Sequence, residues 1–297
     1  MKLKKNNINS LVLGCARFSG LYGVSPKNEV SIKSIKEILK KNKKKISQID
    51  TAIGYNKANK KLESINLKNF KVCSKIPHYS LSEAFVDKKI YNAVKKHLDS
   101  FKLKKLEVLY LHDPKQLLNK NGKKLINILR KMKSQKIVKR IGISVYSPSE
   151  LNNLLKVFRP DVVQIPINIF DRRFLKKSIL FKLKRKKILI YFRSIFLQGI
   201  LVKNFKNLPK YFSKWRNLFE KWEKWLKNNN LSKVEGCLSV LNLVSTKANL
   251  IIGAESNKQV KEILNSLKTR AKPPQNIFSN DNTLINPTKW KIKKQNI

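Results

Sequence analysis

KRIGISVYSPSELNNLLKVFRPDVVQIPINIFDRRFLKKSILFKLKRKKILIYFRS, residues 139–194, is the stretch whose reading decides the fold. Three apolar runs stand out in it: Lys139–Val145, Asp161–Ile167 and Lys187–Ser194. They are nearly continuous rather than alternating, as expected of strands buried on both faces. Two lysine-rich segments separate them, with apolar residues at three- and four-residue steps. Ser147-Pro148-Ser149-Glu150 opens the first, with proline early in the first turn, and Phe174–Lys186 forms the second. Strand, helix, strand, helix, strand is the unit of a parallel sheet.

The same unit extends in both directions. Further strands are expected at Leu11–Cys15, Ile46–Ala52, Lys71–Ile76, Glu107–His112 and Asn249–Ala254. Helices are expected at Ser31–Lys44, Ser82–Phe101 (with Ser82 and Glu83 as its start signal), Gly122–Ser134, Ser232–Thr246 and Asn257–Leu267. Eight strands in this order predict an α/β protein with a closed (β/α)8 TIM barrel in a single domain. The rival is an open doubly wound sheet, which carries a glycine-rich turn after its first strand. Here Gly14, Gly20 and Gly23 do not form that fingerprint. The barrel is expected over residues 1–268 and a basic C-terminal extension over 269–297. The segment before Leu11 would supply a strand or hairpin at the barrel floor. Between Gln198 and Asn230, Phe212, Trp215, Phe219, Trp222 and Leu226 mark an amphipathic helix, expected to pack on the barrel rim.

Composition bounds the function. The chain has 297 residues, 66 of them Lys or Arg and 18 Asp or Glu, a formal charge of +48. At 41% hydrophobic it can bury a core, which excludes wholesale disorder. The lysines run the length of the chain without a nucleic-acid-binding motif, so no specific nucleic acid is expected as partner. Cys15, Cys73 and Cys237 are odd in number and far apart, so neither a disulfide framework nor a zinc site is expected. No apolar run reaches the roughly 20 residues that span a bilayer. Leu11-Val12-Leu13-Gly14-Cys15 has the outline of a lipoprotein cleavage site, but its apolar segment is short and follows Asn6, Asn7 and Asn9. A cytoplasmic protein without membrane contact is expected.

Barrel active sites lie at the C-terminal ends of the strands. Polar residues there include Asp50, Tyr55, Lys75, His112, Ser144, Gln164, Arg193 and Ser194. A charge within an apolar strand costs several kcal/mol unless it is paired, so Asp50, Lys75 and His112 on three neighbouring strands are expected to pair with one another.

These residues resemble the aldo-keto reductases. The likeness is carried by Asp50-Thr51-Ala52-x-x-Tyr55, Cys73-Ser74-Lys75, Leu111-His112-Asp113-Pro114, Gly142-Ile143-Ser144, Gln164, Ser194 with Gln198-Gly199, and Ile252-Gly253-Ala254. Val163–Asp171 and the His-Asp-Pro strand end are most similar to a bacterial branch. The resemblance runs from Leu11 to Leu267 and implies an NAD(P)H-dependent reductase acting on a small-molecule aldehyde or ketone. It assigns catalysis to Asp50, Tyr55, Lys75 and His112, with Tyr55 as general acid, Lys75 lowering the phenol's pKa from about 10, Asp50 holding Lys75, and His112 orienting the carbonyl. It gives the nicotinamide to Ser144 and Gln164, with Arg193 where many relatives place a stacking aromatic. The phosphates and adenosine would meet Ser194, Gln198, Gly199, Gly253, Ser256 and Lys258. Ser256 and Lys258 would favour NADPH over the alternative, NADH, and Glu255 would oppose it.

Three departures stand beside the likeness. Asn56-Lys57-Ala58-Asn59 replaces the family's Gly-x-Ser-Glu, Val145 stands in place of Asn, and Ile263 in place of an adenine-contacting Asn. Phe18, Tyr22, Tyr146, Phe170 and Trp215 are the aromatic candidates for the substrate pocket. The net charge suggests an anionic or sugar-derived substrate. The departures leave one alternative: a non-catalytic nucleotide-binding barrel acting through a macromolecular partner. A polyanion-binding barrel is the other rival. The sequence assigns no oligomeric state.

Overall fold

Eight parallel strands close into a barrel in the computed structural model, which describes residues 7–20, 23–24 and 29–292. They are β1 (Ile8–Gly14), β2 (Ile46–Asp50), β3 (Lys71–Ile76), β4 (Val108–Leu111), β5 (Ile141–Ser144), β6 (Val162–Pro166), β7 (Leu189–Arg193) and β8 (Ala248–Ile252). Each strand pairs with its neighbour in sequence, and β1 closes the ring, with Leu11 opposite Ile46 on one side and Leu250 on the other. The expected closed barrel is what forms; the open sheet is not.

Around it run α1 (Ile32–Asn42), α2 (Asn56–Glu63), α3 (Val86–Ser100), α4 (Gly122–Ser134), α5 (Pro148–Val157), α6 (Lys177–Arg185), α7 (Arg216–Asn228), α8 (Lys233–Ser239), α9 (Asn257–Ser266) and α10 (Asn282–Ile285). The apolar stripes read from the sequence face the sheet: Ile35, Ile38 and Leu39 of α1 and Leu125, Leu129 and Met132 of α4 are all buried. Ser147 caps α5, accepting from the Glu150 amide, with Pro148 at the first helical position.

The barrel interior is a separate packed layer of Val12, Cys73, Val108, Tyr110, Val162, Tyr191 and Ile251. Tyr191 of this layer starts a chain of hydrogen bonds below the strand ends, whereas the Tyr110 hydroxyl is buried without a partner. Tyr191 Oη donates to Gln48 Oε1 (2.8 Å), Gln48 Nε2 to Ser10 Oγ (3.2 Å), and Ser10 Oγ to Asn249 Oδ1 (2.9 Å). Gly142 makes room for Tyr110, whose ring occupies the space a Cβ would need.

Of the strand or hairpin expected before Leu11, Ile8–Ser10 form the start of β1, and Met1–Asn6 lie outside the described residues. The segment with a lipoprotein outline belongs to this same strand, and Cys15 is buried. Two local expectations need correction. Helix α3 begins at Val86, after a left-handed Phe85, and Ser82 bonds Ser80 instead of capping it. The sequence reading had no helix at α2, whose lysines and asparagines leave little apolar stripe to recognise.

A second cluster sits beside the barrel. Phe212, Phe219, Trp222 and Leu226 bury the stripe of the long β7 connection, as expected, and Ile277, Leu284, Ile285 and Trp290 of the C-terminal segment pack against them. Trp290 meets Phe212 edge to face at 5.0 Å. Trp215 Nε1 donates to Asp281, and Tyr211 Oη to the Thr283 carbonyl. Among the described residues no helix is long and apolar enough to cross a membrane.

Candidate active site

A cavity of about 880 Å³ opens at the C-terminal ends of the strands. Asp50, Tyr55, Lys75, His112, Ser144, Gln164, Arg193, Ser194, Gln198, Gly199 and Gly253 all line it. Eight strands of similar length end at one level, so residues far apart in sequence converge there.

Asp50 is the last residue of β2 and Lys75 the penultimate residue of β3. Both are buried and they form an ion pair. Lys75 Nζ also donates to the Thr51 carbonyl (2.9 Å), and Gln164 Nε2 from β6 donates to the other Asp50 oxygen (2.9 Å). Ser144 Oγ at the end of β5 donates weakly to Gln164 Oε1 (3.4 Å). The buried pair is thereby hydrogen-bonded on several sides, the condition under which a buried ion pair is tolerated.

Tyr55 stands directly before α2, its ring half-buried and 5.8 Å from Lys75 Nζ. His112 follows β4 at the cavity mouth, its ring edge-on to Tyr55 with centroids 6.2 Å apart. The loop between β2 and α2 is fastened by Asn59. Asn59 accepts from Thr51 Oγ1 (2.7 Å) and donates to the Ala52 carbonyl (2.9 Å). Asn59 is thus the residue that holds the tyrosine's loop, and the sequence reading treated it only as a departure. A polar residue four positions after Tyr55 was the available signal, readable only once α2 is known.

The electrostatics differ from expectation in one respect. Burial pushes the Tyr55 phenol above its ordinary pKa, with the Asp50 charge adding to the rise and Arg193 opposing it. The phenol is thus raised rather than lowered as expected, and Asp50 lies close enough to oppose the charge of Lys75. The cavity walls strip water from His112, and the charges of Lys75 and Arg193 add to this, lowering its pKa to about 4. At neutral pH the site therefore presents a protonated phenol beside a neutral imidazole.

Arg193 ends β7 and lies over the Tyr146 ring, Cζ to centroid 4.3 Å. Its Nη1 donates to Ser194 Oγ and its Nη2 to the Val145 carbonyl, both at 3.1 Å. The backbone then turns through left-handed conformations at Ser194, Leu197, Gln198 and Gly199. At Gly199 (φ 91°) the turn itself favours glycine, and a Cβ there would meet no atom within 4 Å. The same openness holds at Gly253. Both glycines face the cavity, leaving room for a chain of phosphates to approach the backbone, so the cavity fits an extended dinucleotide.

Other candidates fall elsewhere. Ser256 and Lys258 do not line the cavity. Ser256 Oγ caps α9 by accepting from the Gln259 amide, Gln259 Oε1 accepts from the Glu255 amide (2.8 Å), and Lys258 is exposed. Glu255, Gln259, Glu262 and Ile263 form that wall instead, with Glu255 held by Arg17 at 2.6 Å. Among the aromatic candidates only Tyr146 lines the cavity. Phe18 and Phe170 are core, Trp215 packs in the second cluster, and Tyr22 lies outside the described residues. Asn168 spends its side-chain oxygen on the Phe170 and Asp171 amides. Lys203, Lys233, Phe196 and Thr288, which the sequence did not single out, do line the cavity. They come from the long β7 connection, α8 and the C-terminal segment, whose approach to the mouth is a matter of tertiary packing.

Comparison with known proteins points one way. The model of the aldo/keto reductase family matches residues 10–278. A glycerol dehydrogenase from Gluconobacter oxydans superposes with a TM-score of 0.65 at 18% identity, covering 89% of this chain and 88% of that one. The holo form of an aldo-keto reductase from Bacillus halodurans gives 0.67 at 16%, covering 90% and 88%. An aldo-keto reductase from Klebsiella pneumoniae in complex with NADPH gives 0.62 at 13%, covering 91% and 93%. No curated protein sequence matches the chain.

Proposed function

The chain belongs to the aldo/keto reductase family, and from that premise we propose that it reduces an aldehyde or ketone to an alcohol with NADPH, NADH being the alternative donor. The observation that carries this reading is the convergence of Asp50, Lys75, Tyr55 and His112 on one cavity large enough for a dinucleotide and a small substrate. The similar fold of the Klebsiella enzyme in complex with NADPH supports the choice of cofactor.

When bound, a reduced nicotinamide supplies a hydride to the carbonyl carbon. Ser144 and Gln164 would hold its carboxamide, and the open backbone at Gly199 and Gly253 would receive its phosphates. The oxygen of the substrate then gains negative charge and takes the Tyr55 proton. The raised pKa of Tyr55 keeps the phenol protonated at neutral pH. An alkoxide is a much stronger base than a phenolate, so transfer remains downhill. Oxidation of an alcohol would need the phenolate, which burial disfavours; the site suits reduction. Neutral His112 donates a hydrogen bond to the same oxygen and fixes its position.

The substrate is proposed to be anionic, such as a phosphorylated or otherwise charged sugar carbonyl. Arg17, Lys75, Arg193, Lys203 and Lys233 line the cavity against Asp50, Glu255 and Glu262, so positive charge prevails there. The test follows NADPH oxidation with neutral and anionic carbonyl compounds, on the wild type and Tyr55→Phe. Turnover is expected to fall about 10²- to 10⁴-fold in Tyr55→Phe while NADPH binding persists. An anionic compound is expected to give the higher kcat/KM. Equal rates on neutral and anionic compounds would remove the charge preference. Binding without turnover on every carbonyl would favour the non-catalytic barrel acting through a macromolecular partner.

A further inference from the structure

The charges at the reacting end of the cavity do not cancel. Lys75 is matched by Asp50, and Arg17 is matched by Glu255. Tyr55 and His112 are neutral at pH 7. Arg193 forms no ion pair with a carboxylate among the described residues, although it lines the same cavity as Tyr55 and His112. Its field reaches both of them.

Nor can that charge swing away. Arg193 is fixed by Ser194 Oγ, by the Val145 carbonyl and by the Tyr146 ring. Its Nε is buried without a hydrogen-bond partner. Its backbone is tied into the sheet, opposite Pro166, and accepts from the Ile167 amide (3.0 Å). A guanidinium held in this way is a permanent, half-buried positive charge at the cavity wall.

We propose that Arg193 is a specificity-determining residue that reads the oxidation state of the nicotinamide, weakening binding of the oxidised ring relative to the reduced one. The physical reason is charge. A reduced nicotinamide ring is neutral and an oxidised one carries a full positive charge. Because Arg193 adds a positive charge that its surroundings leave unmatched, it repels only the second. The residue thus favours entry of the reduced form and departure of the oxidised form, in the same direction as the protonated phenol. This inference rests on the nicotinamide reading above, and its test is an equilibrium measurement.

Dissociation constants for NADPH and NADP+ would be measured by titration calorimetry on the wild type and on Arg193→Met, Arg193→Gln and Arg193→Lys. The wild type is expected to bind NADP+ at least about tenfold more weakly than NADPH. In Arg193→Met that ratio is expected to drop by about tenfold, and in Arg193→Lys to stay near the wild-type value. Arg193→Gln keeps hydrogen-bonding capacity toward Ser194 and Val145, and carries the test if the methionine variant melts early. A ratio unchanged in the neutral variants, with both affinities falling together, would show Arg193 acting as a general anchor and overturn the proposal. Failure of the wild type to bind either form would instead overturn the nicotinamide reading itself.

Discussion

Lys75 is the only lysine found buried among the described residues, and its ammonium is held by Asp50 and the Thr51 carbonyl. In a chain with so many surface lysines, this is the one whose removal leaves an opposite charge stranded. Lys75→Met is therefore expected to destabilise the fold by about 3–5 kcal/mol, because Asp50 would stay buried without its partner. The double variant Asp50→Asn/Lys75→Met is expected to recover most of that loss. Urea unfolding of the two variants against wild type measures both; a double variant no more stable than Lys75→Met would contradict the pairing argument. Asp50, Lys75 and His112 were legible in the sequence because each is a polar residue at the end of an apolar run. The direction of the Tyr55 pKa was not legible, since it depends on how completely Asp50 offsets Lys75 and how deeply the phenol lies. Ser256 likewise looked available from its type and place, and only the structure shows its hydroxyl used as a helix cap.

At the scale of the element, α3 carries a second titratable group with a purely structural setting. His97 is buried, its ring 4.6 Å from Phe101, with Nε2 2.9 Å from Ser74 Oγ on β3. Burial lowers its pKa to about 4. The unfolded chain, with an ordinary value near 6.5, binds the proton first, so stability rises with pH across that interval. The fold is thus expected to be fully stable with respect to His97 above about pH 6.5, to weaken as pH falls toward 4, and to lose nothing more from this group below that. The loss is on the order of 3 kcal/mol. Denaturant midpoints at pH 7 and pH 4.5 for wild type and His97→Gln test this: the variant should show the smaller drop. The helices whose stripes are apolar were legible close to their observed ends, as at Gly122–Ser134. Helix α2 was not, because it is held by the Asn59 hydrogen bonds and by packing of Ala58 and Leu62 rather than by a wide apolar face.

For the whole molecule, whose formal charge is +48, the basic side chains of the described residues lie outside the core, Lys75 being the one lysine or arginine buried among them. Such a surface attracts any polyanion through counterion release, without reading its sequence. Duplex DNA of random sequence is expected to bind with a dissociation constant of about 10⁻⁴–10⁻⁶ M at physiological salt, and to dissociate steeply as salt rises. Fluorescence anisotropy with two unrelated duplexes checks this; a tight preference for one of them would restore the polyanion-binding rival. The cavity, by contrast, owes its charge to a few fixed side chains, and its response to salt is expected to be weaker.

The sequence by itself determined the barrel and the level at which its chemistry lies. Eight apolar runs separated by amphipathic ones admit few other packings, and the polar residue closing each run must face the strand ends or remain buried without a partner. Only the tertiary structure decided which charges cancel and what walls the cavity. Arg193 and Lys75 are alike in sequence as basic residues ending apolar strands. A carboxylate one strand away matches Lys75, while hydroxyl, carbonyl and ring fix Arg193 without offsetting its charge. Thr288 and Lys233 reach the mouth because the C-terminal segment and the β7 connection bury their aromatic faces against each other, a contact between residues some seventy positions apart. Local pattern fixes what a residue can do, but the Coulomb and packing terms that select among those possibilities depend on distances set by the closed chain.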